Sequence, residues 1–149
     1  MQTHVLLLSK AFFKNHPKAG KPTDFKQKLS LNQKIHTVRL NYAYWVYKIK
    51  EVMAGRAILS IRQWSGNPYN SIQIELKQLT AADNIGIQPI FINFNHEWPI
   101  RVNNRKLNKS ERIYLAANDG LSLLDFKNWF GCDDYQEPMA LIHFTGFRY

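Results

Sequence analysis

The sequence predicts an α+β domain: a small, mostly antiparallel β-barrel with helices packed outside it. Three observations carry that prediction. Residues 71–79 alternate Ile72, Ile74 and Leu76 with Gln73, Glu75 and Lys77, the period of a strand with one dry and one wet face. Trp45, Ile49, Val52 and Met53 recur at the spacing of one helix face. Strand-like segments outnumber helical ones without regular alternation, which argues against a doubly wound parallel sheet. At 149 residues the chain is one domain's worth and can bury a core, so 1–149 reads as a single domain.

The elements follow in order. Residues 4–13 read as a first strand, 15–22 as a Pro- and Lys-rich loop, and 24–29 as one or two helical turns. Residues 34–40 form a short strand with Ile35, Thr37 and Arg39 on one face. Asn41 caps the helix that carries Trp45, and Gly55 ends it. Strands 56–64 and 71–79 flank the turn-rich Ser65-Gly66-Asn67-Pro68-Tyr69 and make a hairpin. Residues 87–94 are a further strand, and Pro89 places its start at an edge or bulge. Residues 99–107 turn back at Asn103-Asn104. Asn108 with Glu111, and Ser122 with Asp125, form capping-box patterns before two short helices ended by Gly120 and Gly131. Residues 139–147 close the chain as an apolar strand.

Composition excludes several classes. Aromatic residues make up 13% of the chain and charged ones only 21%, which is not the make-up of a disordered tail. No apolar run approaches the roughly 18 residues of a membrane span, and the run Val5-Leu6-Leu7-Leu8 is too short for a secretory leader. The lone Cys132 rules out an internal disulfide framework and a Cys-rich zinc site, and points to a reducing cytoplasm. Asp133 and Asp134 beside it would raise the thiol's pKa, so it is a poor nucleophile. The five His are scattered and read as surface or strand decoration rather than metal ligands, and no cofactor is expected. Phosphate-loop, HExxH and GxSxG motifs are absent.

The net charge of +9 is unevenly placed. Residues 1–50 hold ten Lys or Arg against one acid, Asp24, so the first third carries the whole excess. Such a field suits a polyanion, nucleic acid or a phosphorylated small molecule, and it equally suits a solvated lysine-rich segment. Around the hairpin tip, Arg62, Gln63, Trp64 and Tyr69 combine base-edge donors with rings on which bases stack. The other reading has Trp64 and Tyr69 plugging the hairpin into the core.

The chemistry left is in Lys34-Ile35-His36-Thr37-Val38-Arg39. Thr37 and Arg39 share a strand face, and a Lys34 held in the preceding turn can swing onto it. A lysine with a lowered pKa can take the proton of a hydroxyl, which makes Lys34 and Thr37 a base–nucleophile pair with Arg39 as charge anchor. The plain alternative is a polar strand edge with two solvated cations.

Residues 32–39 resemble the signature of the ASCH family, a PUA-like barrel in which a G-x-K-x-x-T-x-R stretch lines a cleft. Asn32 stands where Gly is usual, and Asn is the next-best residue for a left-handed turn. Asn118-Asp119-Gly120-Leu121, with Phe126, Trp129 and Phe130 behind it, is similar to the family's D-G-hydrophobic turn and aromatic-ended helix. Residues 56–62 and 139–147 resemble two of its barrel strands. The resemblance implies RNA or nucleotide binding, with Lys34, Thr37 and Arg39 bordering a basic cleft. Some short bacterial members hydrolyse N(4)-acetylcytidine with the signature Lys and Thr and a downstream Glu, which implies an alternative role as an amidohydrolase on an acylated nucleoside. No Glu falls in the matching residues 79–84. Asp83 is the nearest acid there and stands as the third catalytic candidate, although Thr80-x-x-Asp83 is also a capping pattern. Glu75 lies on a wet strand face and Glu97 in a loop. A carboxylate facing Lys34 and Thr37 is what separates the two readings.

Overall fold

The computed structural model describes residues 1–131 and 137–149, so the reading of Cys132 lies outside the described residues. Among the described residues, eight strands and four α-helices form a small α+β domain: β1 (Gln2–Leu7), α1 (Phe25–Ser30), β2 (His36–Arg39), α2 (Tyr42–Met53), β3 (Ala57–Trp64), β4 (Gln73–Leu79), β5 (Gly86–Ile92), β6 (Ile100–Val102), β7 (Arg105–Lys106), α3 (Lys109–Asn118), α4 (Leu123–Phe130) and β8 (Met139–His143). No helix among the described residues is long and apolar enough to cross a membrane.

The expected closed barrel is not formed by the described strands. They divide into a three-stranded sheet, β1-β3-β4, and a five-stranded antiparallel sheet, β2-β8-β5-β6-β7. In the first, β1 runs parallel to β3, from Gln2 opposite Ala57 to Leu7 opposite Arg62. In the second, β8 is central, pairing β2 on one side and β5 on the other, and all five of its residues are buried. The core between the elements includes Leu6, Ile49, Val52, Leu59, Ile61, Ile90, Ile92, Leu115 and Phe126.

Local signals explain most of the elements. Asn41 accepts from the Tyr44 N–H and starts α2, which buries Ile49 and Val52, while Met53 lies exposed at the helix end. Asn103 and Asn104, both with positive φ, make the two-residue turn between β6 and β7. Asn108 and Glu111 complete a reciprocal capping box on α3. Ser122 caps α4 by accepting from Asp125 N–H, and the Asp125 carboxylate also reaches across to accept from Lys18 Nζ at 2.7 Å.

Three strand expectations need correction. β1 ends at Leu7, with a last bond from Leu8 N–H to the Arg62 carbonyl; residues 9–13 leave the sheet, and Phe12 instead pairs with Lys21 and Gly20 across a loop. Pro89 is inside β5, an interior strand, with its missing N–H on the β6 side. There the β6 ladder is ending, and Pro89 offers only its carbonyl, to Asn103 N–H. β4 does not bury its alternating apolar face: Ile72 is 73% exposed and Ile74 42%. A bulge between the Ile61–Lys77 and Arg62–Glu75 pairs leaves Leu76 as the extra residue and breaks the alternation. Only Leu79 of the strand is buried.

Candidate functional site

The site is assembled where the end of α3 meets the start of β2. Asn32 takes the left-handed conformation, φ +57°, and turns the chain off the end of α1. Lys34, just before β2, forms an isolated antiparallel bridge with Asp119, and Ile35 N–H donates to the Asn118 carbonyl at 2.8 Å. Gly120 follows at φ +84°, and a side chain there would press on the Phe25 ring at 3.3 Å. That turn leaves both the carbonyl and the carboxylate of Asp119 facing Lys34.

Lys34 Nζ donates to Asp119 O at 2.7 Å and to Oδ1 at 3.2 Å, and it stands 4.3 Å from the centroid of the Phe25 ring. The side chain is 2% exposed. An ammonium at the C-terminal end of a helix is also favoured by the exposed carbonyls there. Burial pulls the Lys34 amine below the usual lysine range, Arg39 and Lys28 push the same way, and Asp119 opposes them.

Asp119 has a second partner. His36 Nδ1 lies 3.3 Å from Asp119 Oδ1, and His36 Nε2 lies 2.7 Å from the Tyr149 hydroxyl, to which Asn118 Nδ2 donates at 3.0 Å. Next to it, His143 Nε2 meets Gln88 Oε1 at 2.8 Å. Burial lowers the pKa of both rings, with Asp119 opposing it at His36, and His143 is pushed down to about 2. Four of the five histidines, His4, His16, His36 and His143, are buried; His4, His36 and His143 are strand residues, as expected, and His16 alone is a buried loop residue. Among the described residues no cluster of three or more His, Cys, Asp or Glu is placed to hold a metal ion.

Lys34, Thr37 and Arg39 do line one space, together with Asp119, Phe25, Leu8, Ser9 and Trp129. It is a narrow, partly enclosed chamber of about 20 Å³ rather than a broad cleft, with room for roughly one water molecule. Thr37 is buried, and among the described residues nothing hydrogen-bonds its hydroxyl. The Arg39 guanidinium donates to the Leu7 carbonyl, which ties β2 to the end of β1. Two larger grooves abut the chamber. One, of about 720 Å³, shares Leu8 and Ser9 with it and runs past Lys10, Phe12, Phe13, Trp64 and Tyr69. The other, of about 410 Å³, shares Arg39 and Trp129 and reaches Trp45.

The hairpin residues do not converge on one point. Trp64 and Tyr69 stand together on the large groove, their rings 5.3 Å apart, with Tyr69 85% exposed. That ring does not plug the hairpin into the core. Lys10 Nζ reaches the same tip, donating to Ser65 O at 2.8 Å. Arg62 turns instead to Ser60 Oγ at 2.9 Å and Gln73 Oε1 at 3.2 Å. Gln63 is buried and lines a third groove with Lys26, Ile74 and Glu75.

Asp83 closes a capping box with Thr80 on a single 3₁₀ turn, accepting from Thr80 N–H at 2.8 Å, and makes no contact with Lys34 or Thr37. Glu75 accepts from Ser60, and Glu97 is exposed. The carboxylate that faces Lys34 is Asp119. Sequence reading took it as part of a turn, because the link to Lys34 spans 85 residues and no local pattern encodes it. Comparison with protein-family models, with curated proteins and with solved structures finds no match to this chain.

Proposed function

We propose that this chain is an ASCH-like, PUA-like domain that binds RNA or a nucleotide-like ligand in the large groove rimmed by Trp64 and Tyr69, with Lys34, Thr37 and Arg39 in the small chamber that abuts it. The observation that carries the reading is the large groove. It sets the exposed Tyr69 ring and the half-buried Trp64 ring beside Lys10, a residue of the cationic first third of the chain. Exposed rings next to cations bind unpaired bases by stacking while the cations meet phosphate. The signature spacing and the left-handed Asn32 support the family reading. The single cysteine supports a cytoplasmic home.

The test is RNA affinity across a salt series. Binding that falls steeply between low and moderate salt is expected, because each neutralised phosphate releases counterions. Charge reversal at Lys18, Lys21 and Lys26 should weaken it about equally for all sequences. A flat salt response, or no binding, rejects the reading.

One observation favours the alternative, hydrolysis of an acylated nucleoside: Asp119 supplies a carboxylate against Lys34. In that reaction a deprotonated Lys34 amine takes the Thr37 proton as the threonine oxygen attacks the acyl carbon, and the ammonium so formed, held by Asp119, gives that proton to the departing cytidine N4 as the acyl C–N bond breaks. Water then cleaves the acyl-threonine. Incubation with N(4)-acetylcytidine decides it. Cytidine release that disappears in both Lys34→Ala and Thr37→Ala establishes turnover at this pair, and no release from the parent protein leaves binding alone.

A further inference from the structure

The buried polar chain behind Lys34 has a direction that can be read from its atoms. The Asp119 carboxylate can only accept, so the 3.3 Å contact with His36 requires the imidazole proton on Nδ1. His36 Nε2 is then an acceptor, and the Tyr149 hydroxyl, 2.7 Å away, must donate to it. That hydroxyl is free to do so, because its own lone pair is served by Asn118 Nδ2 at 3.0 Å. The chain therefore begins and ends on neighbouring residues, Asn118 and Asp119, at the end of α3.

Tyr149 is itself held from another strand. Its backbone N–H donates to Gln88 Oε1 at 3.1 Å, and its carbonyl accepts from Gln88 Nε2 at 3.1 Å. Its ring packs edge-on to His36, with centroids 5.6 Å apart. A clip fixed at both ends and built of matched donors and acceptors does more than fill space.

We propose that His36 and Tyr149 are positioning residues for the Lys34–Asp119 pair: the phenol fixes the tautomer of His36, and the His36 Nδ1–H holds Asp119 Oδ1 against Lys34 Nζ. The inference rests on reading Lys34 and Thr37 as the functional pair, but it is measured without any ligand, so it and that reading fail separately. The charged and titratable groups facing these side chains are Asp119, Arg39 and Lys28 around Lys34, and Asp119, Lys34 and His143 around His36.

The experiment is nitrogen-15 NMR of the imidazoles and of the Lys34 amine in the full, ligand-free chain. In the parent, His36 should stay in the Nδ1–H form from pH 5 to 8. An Nε2–H form or a mixture overturns the proposal without any variant. Tyr149→Phe removes the donor to Nε2, and His36 should then protonate about 0.7 pH unit higher, the equivalent of one hydrogen bond of about 1 kcal/mol. With Asp119 less firmly held, the Lys34 amine should titrate lower than in the parent. His36→Asn, whose amide N–H falls where Nδ1 was, should keep the parent Lys34 titration, and His36→Leu should not. A Lys34 titration unchanged in both Tyr149→Phe and His36→Leu shows that the clip is only structural and overturns the assignment.

Discussion

The two sheets spend their polar groups differently. In the five-stranded sheet every residue of β8 is buried, and among the polar side chains that enter the interior His36 and Gln88 are hydrogen-bonded at defined atoms, while His143 meets Gln88 through Nε2 and leaves Nδ1 unpaired. In the three-stranded sheet β4 has one buried residue, and Ile72, Ile74 and Tyr69 stand in the open. The first arrangement suits orientation of a reacting or hydrogen-bonding group, since the buried bonds among Asp119, His36, Tyr149 and Asn118 fix one geometry. The second suits contact with a ligand, since open rings and cations adapt to what arrives. The two sheets meet at residues 7–9, where Arg39 holds the Leu7 carbonyl and Leu8 and Ser9 wall the chamber.

This contrast can be broken by substitution. The largest effect is expected at Asp119. Asp119→Ala leaves the buried Lys34 ammonium without its partner, so unfolding free energy should fall by about 3–5 kcal/mol, read from denaturant midpoints. A loss under 1 kcal/mol would show that Lys34 is already neutral in the fold. Next come paired apolar truncations in the two sheets. Ile90→Ala in the buried β5 should cost about 2–5 kcal/mol, while Ile74→Ala on the open β4 should stay within about 0.5 kcal/mol. Equal costs would mean that the β4 face is covered in solution.

At the hairpin the expected effect moves from stability to binding. Tyr69→Ala should leave the melting temperature nearly unchanged and weaken single-stranded RNA by about 1–3 kcal/mol, the worth of one stacked base. Unchanged affinity would remove the large groove from the binding surface.

The smallest effect is a slope with pH. His36 and His143 have folded pKa values depressed below the ordinary 6.5. The unfolded chain therefore binds more protons below that value, and stability is full above about pH 6.5 and falls as the solution becomes more acid. Each ring contributes up to about 1.4 kcal/mol per pH unit in that window. Thermal melts of the parent and of His143→Leu between pH 7 and 5 should show a shallower decline in the variant. Parallel curves would mean that His143 is protonated, or solvated, in the fold.

Much of this was legible before any coordinates. Capping at Asn41 and Asn108, the Asn103-Asn104 turn and the left-handed Asn32 are each decided within four residues by one side chain's hydrogen bond or tolerance of positive φ. The closeness of Lys34, Thr37 and Arg39 is of the same kind, since strand alternation and one preceding turn bring them to a single chamber. The burial of β4 was misread because alternation shows only that a strand has two faces. Which face is dry depends on what packs there, and a one-residue bulge at Leu76 is enough to break the pattern.

What the sequence determined by itself is therefore the set of short-range choices: where helices start, where hairpins turn and which third of the chain is cationic. Tertiary structure alone decided that the strands form two sheets, that Asp119 rather than Asp83 faces Lys34, and that His36 and Tyr149 stand behind it. The reason is range. Asp83 finds its partner three residues away at Thr80, as any capping pattern does. Asp119 meets Lys34 only after α3 has packed beside β2, and Tyr149 meets His36 across 113 residues, so those contacts exist in the fold and in no stretch of the chain.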